Sequence, residues 1–325
     1  MTTQTLVEKN VPMDVFGFSG TGVMVKGFEP CNHPNVPVLK KEYVFRRETL
    51  RDVINFIDCS FDDGLLITGP TGCGKTSLIE QVLARLNYPM QGFTCGGSTE
   101  FMDLVGQWVM VNGETVWMDG CLTIAMKHGH VLVLNEMDLV DPSELANMNA
   151  IMEGAPLVIS QLGGKVIHPH PNFRVVATTN SNGCGGDGMY VGVQRQNLAF
   201  LDRFMVIKVD YADPEIEAQI LEKISPNIPK VIRTKMISVA NKVRKVFKGE
   251  DDNTELSVTF STRTLIRWAI QTQRAQGAKC PLSYALDRAL LNRCSEEEEV
   301  EAINMWAIAE FGKNFEPESS NTITL

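Results

Sequence analysis

Gly69-Pro70-Thr71-Gly72-Cys73-Gly74-Lys75-Thr76 reads G-x-x-x-x-G-K-[ST] and stands between an apolar strand and an amphipathic helix. Before it, Gly64-Leu65-Leu66-Ile67-Thr68 predicts a short buried strand. After it, Leu78, Ile79, Val82, Leu83 and Leu86 fall on one helical stripe. A strand, a glycine-rich turn and a helix in that order make a phosphate-binding loop, because the loop amides and the helix N-terminus converge on anionic oxygen. A ligand-free glycine turn would need both flanks to match by chance. The stretch from Gly69 to Ser77 is therefore expected to cradle the phosphates of ATP. Lys75 would reach the β/γ-phosphates and the Thr76 hydroxyl would ligate Mg²⁺.

Working outward, short apolar strands alternate with helical stretches from Tyr43 to about Tyr211. Strands are expected at 64–68, 90–95, 130–134, 173–178 and 205–209, which predicts an α/β fold with a five-stranded parallel sheet covered on both faces. Two hairpins interrupt it, one at 109–117 turning on Asn112-Gly113 and one at 156–167 turning on Gly163-Gly164. After Asp213-Pro214 the pattern becomes helical, at 214–224, 229–248, 261–276 and 281–311, and predicts a separate all-α lid domain. The expected organisation is an irregular Gly/Pro-rich arm over 1–42, a nucleotide-binding core over 43–212 and the lid over 213–325. The acidic run Glu296 to Glu299 reads as a solvated face, and the tail from Glu316 as frayed.

Composition narrows the choice. A chain of 325 residues, 44% hydrophobic, can bury a large core. It has no run of about 18 apolar residues and a polar start, which points to the cytoplasm and away from membranes. The eight cysteines are scattered without a C-x-x-C pair, which suggests reduced thiols. With 39 acidic against 30 basic residues, the chain lacks the overall charge of a nucleic-acid binder, although a local basic pore stays open.

The ends of the later strands carry candidate chemistry. Glu136, in Leu134-Asn135-Glu136-Met137-Asp138, fits the residue that orients or deprotonates the water attacking a γ-phosphate. Asn135 stands where aspartate normally holds a Mg²⁺-bound water, a departure that lowers the negative charge at the metal's second shell. Asn180 ends the fourth strand and can bond both the γ-phosphate and the attacking water, or else cap a turn. Arg203, in Leu201-Asp202-Arg203-Phe204, and Arg263, in Ser261-Thr262-Arg263, are arginine-finger candidates. Either alone has the look of a surface ion pair; their order after the loop, Glu136 and Asn180 singles them out. His168-Pro169-His170, His128-Gly129-His130 and Cys31-Asn32-His33 lack the spacing of metal ligands, so Mg²⁺ with the nucleotide is the one metal expected. Cys73 sits where amide dipoles could lower a thiol pKa, against the plainer reading of a passive small residue.

This order of parts resembles an AAA+ ATPase, and the second hairpin with the Asp202-Arg203-Phe204 and Ser261-Thr262-Arg263 elements resembles the MoxR-like group. Within it the chain is most similar to the ATPase subunit of aerobic cobaltochelatase, the CobS type. The similarity is carried by Tyr43–Leu50, Ile79–Asn87, Val166–Arg174 and Leu290–Glu296. The resemblance implies a homo-oligomeric, hexameric ring with nucleotide at each subunit boundary, where Arg203 reaches a neighbour's γ-phosphate and Arg263 acts in cis or across the interface. It also implies a partner with a von Willebrand A domain (CobT-like) and a large chelatase or other metalloenzyme. The 156–167 hairpin and the glycine-rich Gly183–Tyr190 loop would face the pore or that partner, or the loop is an ordinary surface turn. The leading expectation is an ATP-hydrolysing motor for metal insertion. The rivals are an activase for another metalloenzyme, a nucleotide-gated assembly ring with little hydrolysis and, last, a nucleic-acid motor.

Overall fold

The computed structural model describes residues 6–60, 62–181, 192–249, 256–275 and 277–315. The glycine-rich 183–190 loop and the tail from Glu316 lie outside the described residues. Contacts divide the chain into two units. One comprises residues 1–41, 45–70 and 75–210; the other comprises 42–44, 71–74 and 211–325.

In the first unit the strands are β1 (Glu8–Pro12), β2 (Met24–Phe28), β3 (Gly64–Thr68), β4 (Met90–Thr94), β5 (Gly106–Val111), β6 (Glu114–Asp119), β7 (Val131–Asn135), β8 (Leu157–Ile159), β9 (Lys165–Ile167), β10 (Arg174–Thr179) and β11 (Phe204–Lys208). Five of them form the expected parallel sheet, in the order β11-β3-β10-β7-β4. All of β3 is buried, as a central strand covered on both faces must be. The helix Lys75–Leu86 buries Leu78, Ile79, Val82, Leu83 and Leu86, the stripe its sequence displays.

Both expected hairpins are present. In β5–β6, Asn112 (φ 52°) and Gly113 (φ 86°) supply the two left-handed residues that a tight right-twisting turn requires. This ribbon keeps Trp108, Met110 and Met118 exposed, at 50%, 78% and 54%. The second, β8–β9, carries a short 3₁₀ turn, Ser160–Leu162, ahead of Gly163-Gly164.

Three expectations are corrected. The arm, read as irregular, contains the antiparallel pair β1–β2, which lies on the Lys75–Leu86 helix. A side chain at Gly27 would meet the Leu86 carbonyl at 2.8 Å. Buried Arg85 donates to the carbonyls of Val15 and Lys40, each at 3.0 Å, and its guanidinium sits 4.8 Å from the Phe45 ring centre.

The second unit is helical: Pro214–Ile224, Lys230–Phe247, Thr262–Arg274, Pro281–Ala289 and Glu297–Phe311. Its core gathers around fully buried Trp268 and Phe260, with the Trp268 indole donating to the Leu282 carbonyl at 2.9 Å. The single helix expected over 281–311 breaks after Ala289, and the acidic run is not wholly a solvated face. Glu299 is 5% exposed, and its carboxylate accepts from the Ser257 amide, the Ser257 hydroxyl (2.9 Å) and the Ser295 amide (3.1 Å). These bonds tie down the start of the last helix, where the other acids also meet the favourable end of the dipole.

Burial works to raise the Glu299 pKa, but hydrogen bonds from Ser257, Ser295 and Glu296 together hold it below its ordinary value of 4.5. The stability it contributes is therefore present above 4.5 and lost as pH falls through the lower folded value. Glu299→Gln is expected to cost about 1–2 kcal/mol near neutrality, with the gap to the parent narrowing on acidification. Urea unfolding at about pH 7 and about pH 3.5 measures both.

Candidate functional site

The carboxyl ends of β3, β10 and β7 lie side by side, because Thr179 pairs with Thr68 and Ala177 with Leu134. The polar residues that follow each strand are therefore delivered to one edge. After β3 the loop turns through Gly72 (φ 71°) and Gly74 (φ 99°), conformations that favour glycine. The Lys75 ammonium donates to the Gly69 carbonyl (2.7 Å), the Pro70 carbonyl (3.0 Å) and the Asn180 amide oxygen (2.9 Å). Lys75 is only 8% exposed, so its charge is held at the mouth of the loop by neutral acceptors. Phosphate oxygens are stronger ones.

Next in the helix, the Thr76 hydroxyl donates to the Asn135 side-chain oxygen at 2.8 Å, and the Thr178 hydroxyl approaches the same oxygen at 3.4 Å. Glu136 follows in the left-handed region (φ 55°, ψ 43°), with its amide donating to the Thr178 hydroxyl at 3.3 Å and its side chain exposed. That backbone kink ends β7 and starts a 3₁₀ turn over Met137–Leu139. Cys95, whose amide donates to the Asn135 carbonyl at 2.8 Å, has its thiol pushed up to about 12 by burial, with smaller contributions from Cys121, Asp138 and Glu136. A neutral thiol thus borders the site.

Lys75, Thr76, Asn135, Glu136 and Asn180 are brought to one edge of the sheet. Arg203 is not among them. It precedes β11, its carbonyl accepts from the Gly64 amide at 2.8 Å, and Phe204 pairs with Gly64 at the opposite end of β3. Five strand residues span roughly 16 Å, more than an arginine side chain reaches, so Arg203 cannot touch the phosphate loop of its own chain. Its guanidinium pairs instead with Glu153, with Nε 3.0 Å from Oε1, and also donates to the Ala199 carbonyl.

In the second unit, Ser261 caps the Thr262–Arg274 helix by accepting from the Thr264 amide at 3.1 Å. The loop tip, residues 71–74, packs there. A Cβ on Gly72 would stand 2.6 Å from Ser261 Cβ and 3.8 Å from Arg263 Cβ. The Tyr211 hydroxyl donates to the Thr71 carbonyl at 3.3 Å. Arg263 is exposed beside the tip of its own loop.

Cys73 is buried at 7%. His33 and His130 stack edge-on with centroids 5.0 Å apart, and burial, with neighbouring His33 and His128, lowers the His130 pKa to about 4. Among the described residues no group of three His, Cys, Asp or Glu has the arrangement of a metal site.

Sequence reading passed over Asp138. Its carboxylate, 1% exposed, accepts from the amides of Asn180 (3.2 Å) and Ser181 (3.1 Å) and from the Ser181 hydroxyl (2.9 Å). The available signal was a second acid two residues beyond Glu136, where a turn after the strand could direct it inward.

Known proteins match this arrangement along most of its length. Residues 64–204 match the family model described as AAA domain (dynein-related subfamily), and residues 217–309 match CbbQ/NirQ/NorQ C-terminal. The aerobic cobaltochelatase subunit CobS of a Sinorhizobium species is 30% identical over 273 residues, covering 81% of this chain and 79% of that protein. The chain belongs to the MoxR-like AAA+ ATPases. Two uncharacterized proteins are similar to this MoxR-like ATPase: one from Staphylococcus saprophyticus at 27% identity (80% of this chain, 95% of that one) and one from Staphylococcus haemolyticus at 28% (82% and 97%). The family carries ATP on its AAA domain, in keeping with the loop geometry. No helix among the described residues is long and apolar enough to cross a membrane.

Lys75→Ala removes the cation that the loop encloses, and ATP affinity is expected to fall more than about tenfold. Titration calorimetry with ATP checks this; undiminished affinity would place the nucleotide elsewhere.

Proposed function

We propose that this MoxR-like ATPase is an Mg²⁺-dependent, ATP-hydrolysing ring motor that drives a partner complex in metal insertion. The observation that carries the reading is the division of polar groups between the two ends of the sheet. Lys75, Thr76, Glu136 and Asn180 stand at one end, and Arg203 a full strand away at the other. An arginine in that position can serve a phosphate only on another subunit, which is what a ring with shared sites requires.

In the proposed reaction Lys75 takes the β/γ-phosphate charge and Asn180 orients the γ-phosphate and the attacking water. Glu136 accepts the proton of that water as its oxygen bonds phosphorus and ADP leaves. Thr76 and Asn135, whose side chains meet at 2.8 Å, offer adjacent oxygen donors, the ligand type Mg²⁺ prefers; Thr76 would ligate the ion and Asn135 would support it from behind. When bound, Mg²⁺ would neutralise phosphate charge. In this scheme Arg263 acts in cis or across the interface, and Arg203 leaves Glu153 for the neighbour's γ-phosphate.

The likeness to a cobaltochelatase subunit supports a large chelatase as the machine served, with a von Willebrand A domain protein as the coupling partner and the cytoplasm as the compartment. A second reading, a nucleotide-gated assembly ring that hydrolyses little, is favoured by Asn135. It gives the metal's second shell no negative charge. At about 5 Å and an effective dielectric of about 20, a missing unit charge is worth roughly 3 kcal/mol before solvation.

Two tests separate these. Glu136→Gln keeps the shape and removes the base, so ATP should bind as in the parent while turnover falls about a hundredfold or more. Arg203→Ala should lose turnover yet keep ATP affinity, and mixing it with Lys75→Ala subunits should restore part of the activity, because some interfaces then combine an intact loop with an intact arginine. No recovery in rings shown to exchange subunits would remove the shared site. No hydrolysis by the parent with its partner present would leave the gated ring.

A further inference from the structure

Asp138 is a carboxylate at 1% exposure with no Lys, Arg or His paired to it among the described residues. Burying a charge that way is costly unless hydrogen bonds replace its water. Here three donors converge on a single oxygen, Oδ2, and all come from the tip of β10: the Asn180 amide, the Ser181 amide and the Ser181 hydroxyl. Two consecutive amides aimed at one oxygen fix the peptide between them, and with it the direction in which Asn180 projects its side chain.

That side chain is the one accepting from Lys75. The far side of the same tip is also held, since the Ser181 carbonyl accepts from the Thr68 hydroxyl at 2.9 Å and the Thr179 hydroxyl at 2.6 Å. Asp138 is itself anchored, its carbonyl accepting from the Gln194 amide at 2.8 Å.

We infer that Asp138 is a positioning residue for ATP turnover: a buried anionic clamp that sets the Asn180 side chain against Lys75, and so against the γ-phosphate. The clamp links the turn that follows Glu136 to the strand tip that bears Asn180, so the group handling the water and the group reading the phosphate share one rigid support. The inference rests on the reading that Asn180 faces the γ-phosphate.

The test is a double-mutant cycle in the full-length protein, measuring turnover, KM for ATP and ATP dissociation constant, with thermal midpoints alongside. Asp138→Ala in the parent is expected to lower turnover about tenfold or more, matching Asn180→Ala. In the Asn180→Ala background the same change should cost less than about twofold, because the side chain it positions is already gone. Asp138→Asn keeps the shape and an acceptor oxygen. It is expected to lose about three- to tenfold in the parent and, again, under twofold in the Asn180→Ala background, so the cycle can be completed with Asn if the Ala variant does not fold. Equal losses in both backgrounds would make Asp138 merely structural and overturn the inference, as would unchanged turnover in both Asp138 variants. If the parent does not hydrolyse ATP, the hydrolysis reading falls. The same cycle read in the dissociation constant then decides this inference on its own, with coupling supporting it and additivity overturning it.

Discussion

Parallel pairing of β10 with both β3 and β7 fixes where every polar group near the phosphate loop can be. β3 ends at Thr68 beside Thr179 of β10, and β7, on the other side of β10, ends at Asn135. Side chains that continue these strands have no choice but to converge: Lys75 on Asn180, Thr76 on Asn135, Asp138 on the Asn180–Ser181 peptides. A slip of one residue between β10 and β3 would turn Asn180 to the opposite face. The large buried runs Leu65–Ile67, Val131–Leu134 and Val175–Ala177 hold that register, so the precision of the polar edge is set by apolar packing beneath it.

Most of this was legible in the residues themselves. A continuous apolar strand, the loop motif and the helical stripe are local signals, and five such strands with helices between them admit few topologies. Each strand appears within one residue of its expected place. What escaped is non-local. The pairing of β1 with β2 spans a loop rich in glycine and turns, and the chain around it is tied to a helix some sixty residues on, where Arg85 donates to the Val15 and Lys40 carbonyls. Likewise the break after Ala289 is invisible to periodicity, because Leu290 and Leu291 continue the apolar pattern. Leu290 leaves helical geometry there (φ −137°), and Ser257 and Ser295 hold Glu299 at the start of the next helix.

The site shows the same split. Residue types and order singled out the loop, Glu136, Asn180 and the arginines as candidates, but not their grouping. That Arg203 lies beside Glu153, and not beside its own loop, follows from which end of β11 it occupies, and the parallel register decides that. Asp138 was hidden for a related reason: a carboxylate next to another acid reads as surface charge until a left-handed residue between strand and turn rotates it inward.

That left-handed residue, Glu136, also bears on how relatives of this chain can be read. A glutamate with φ near 55° is held in a conformation that costs a side-chain-bearing residue roughly 1–2 kcal/mol and glycine almost nothing. Selection for folding alone would let glycine drift into the position. On the role proposed for Glu136, a homologue with glycine there would have gained stability and given up the carboxylate together, and that single letter would mark a subunit without the proposed chemistry.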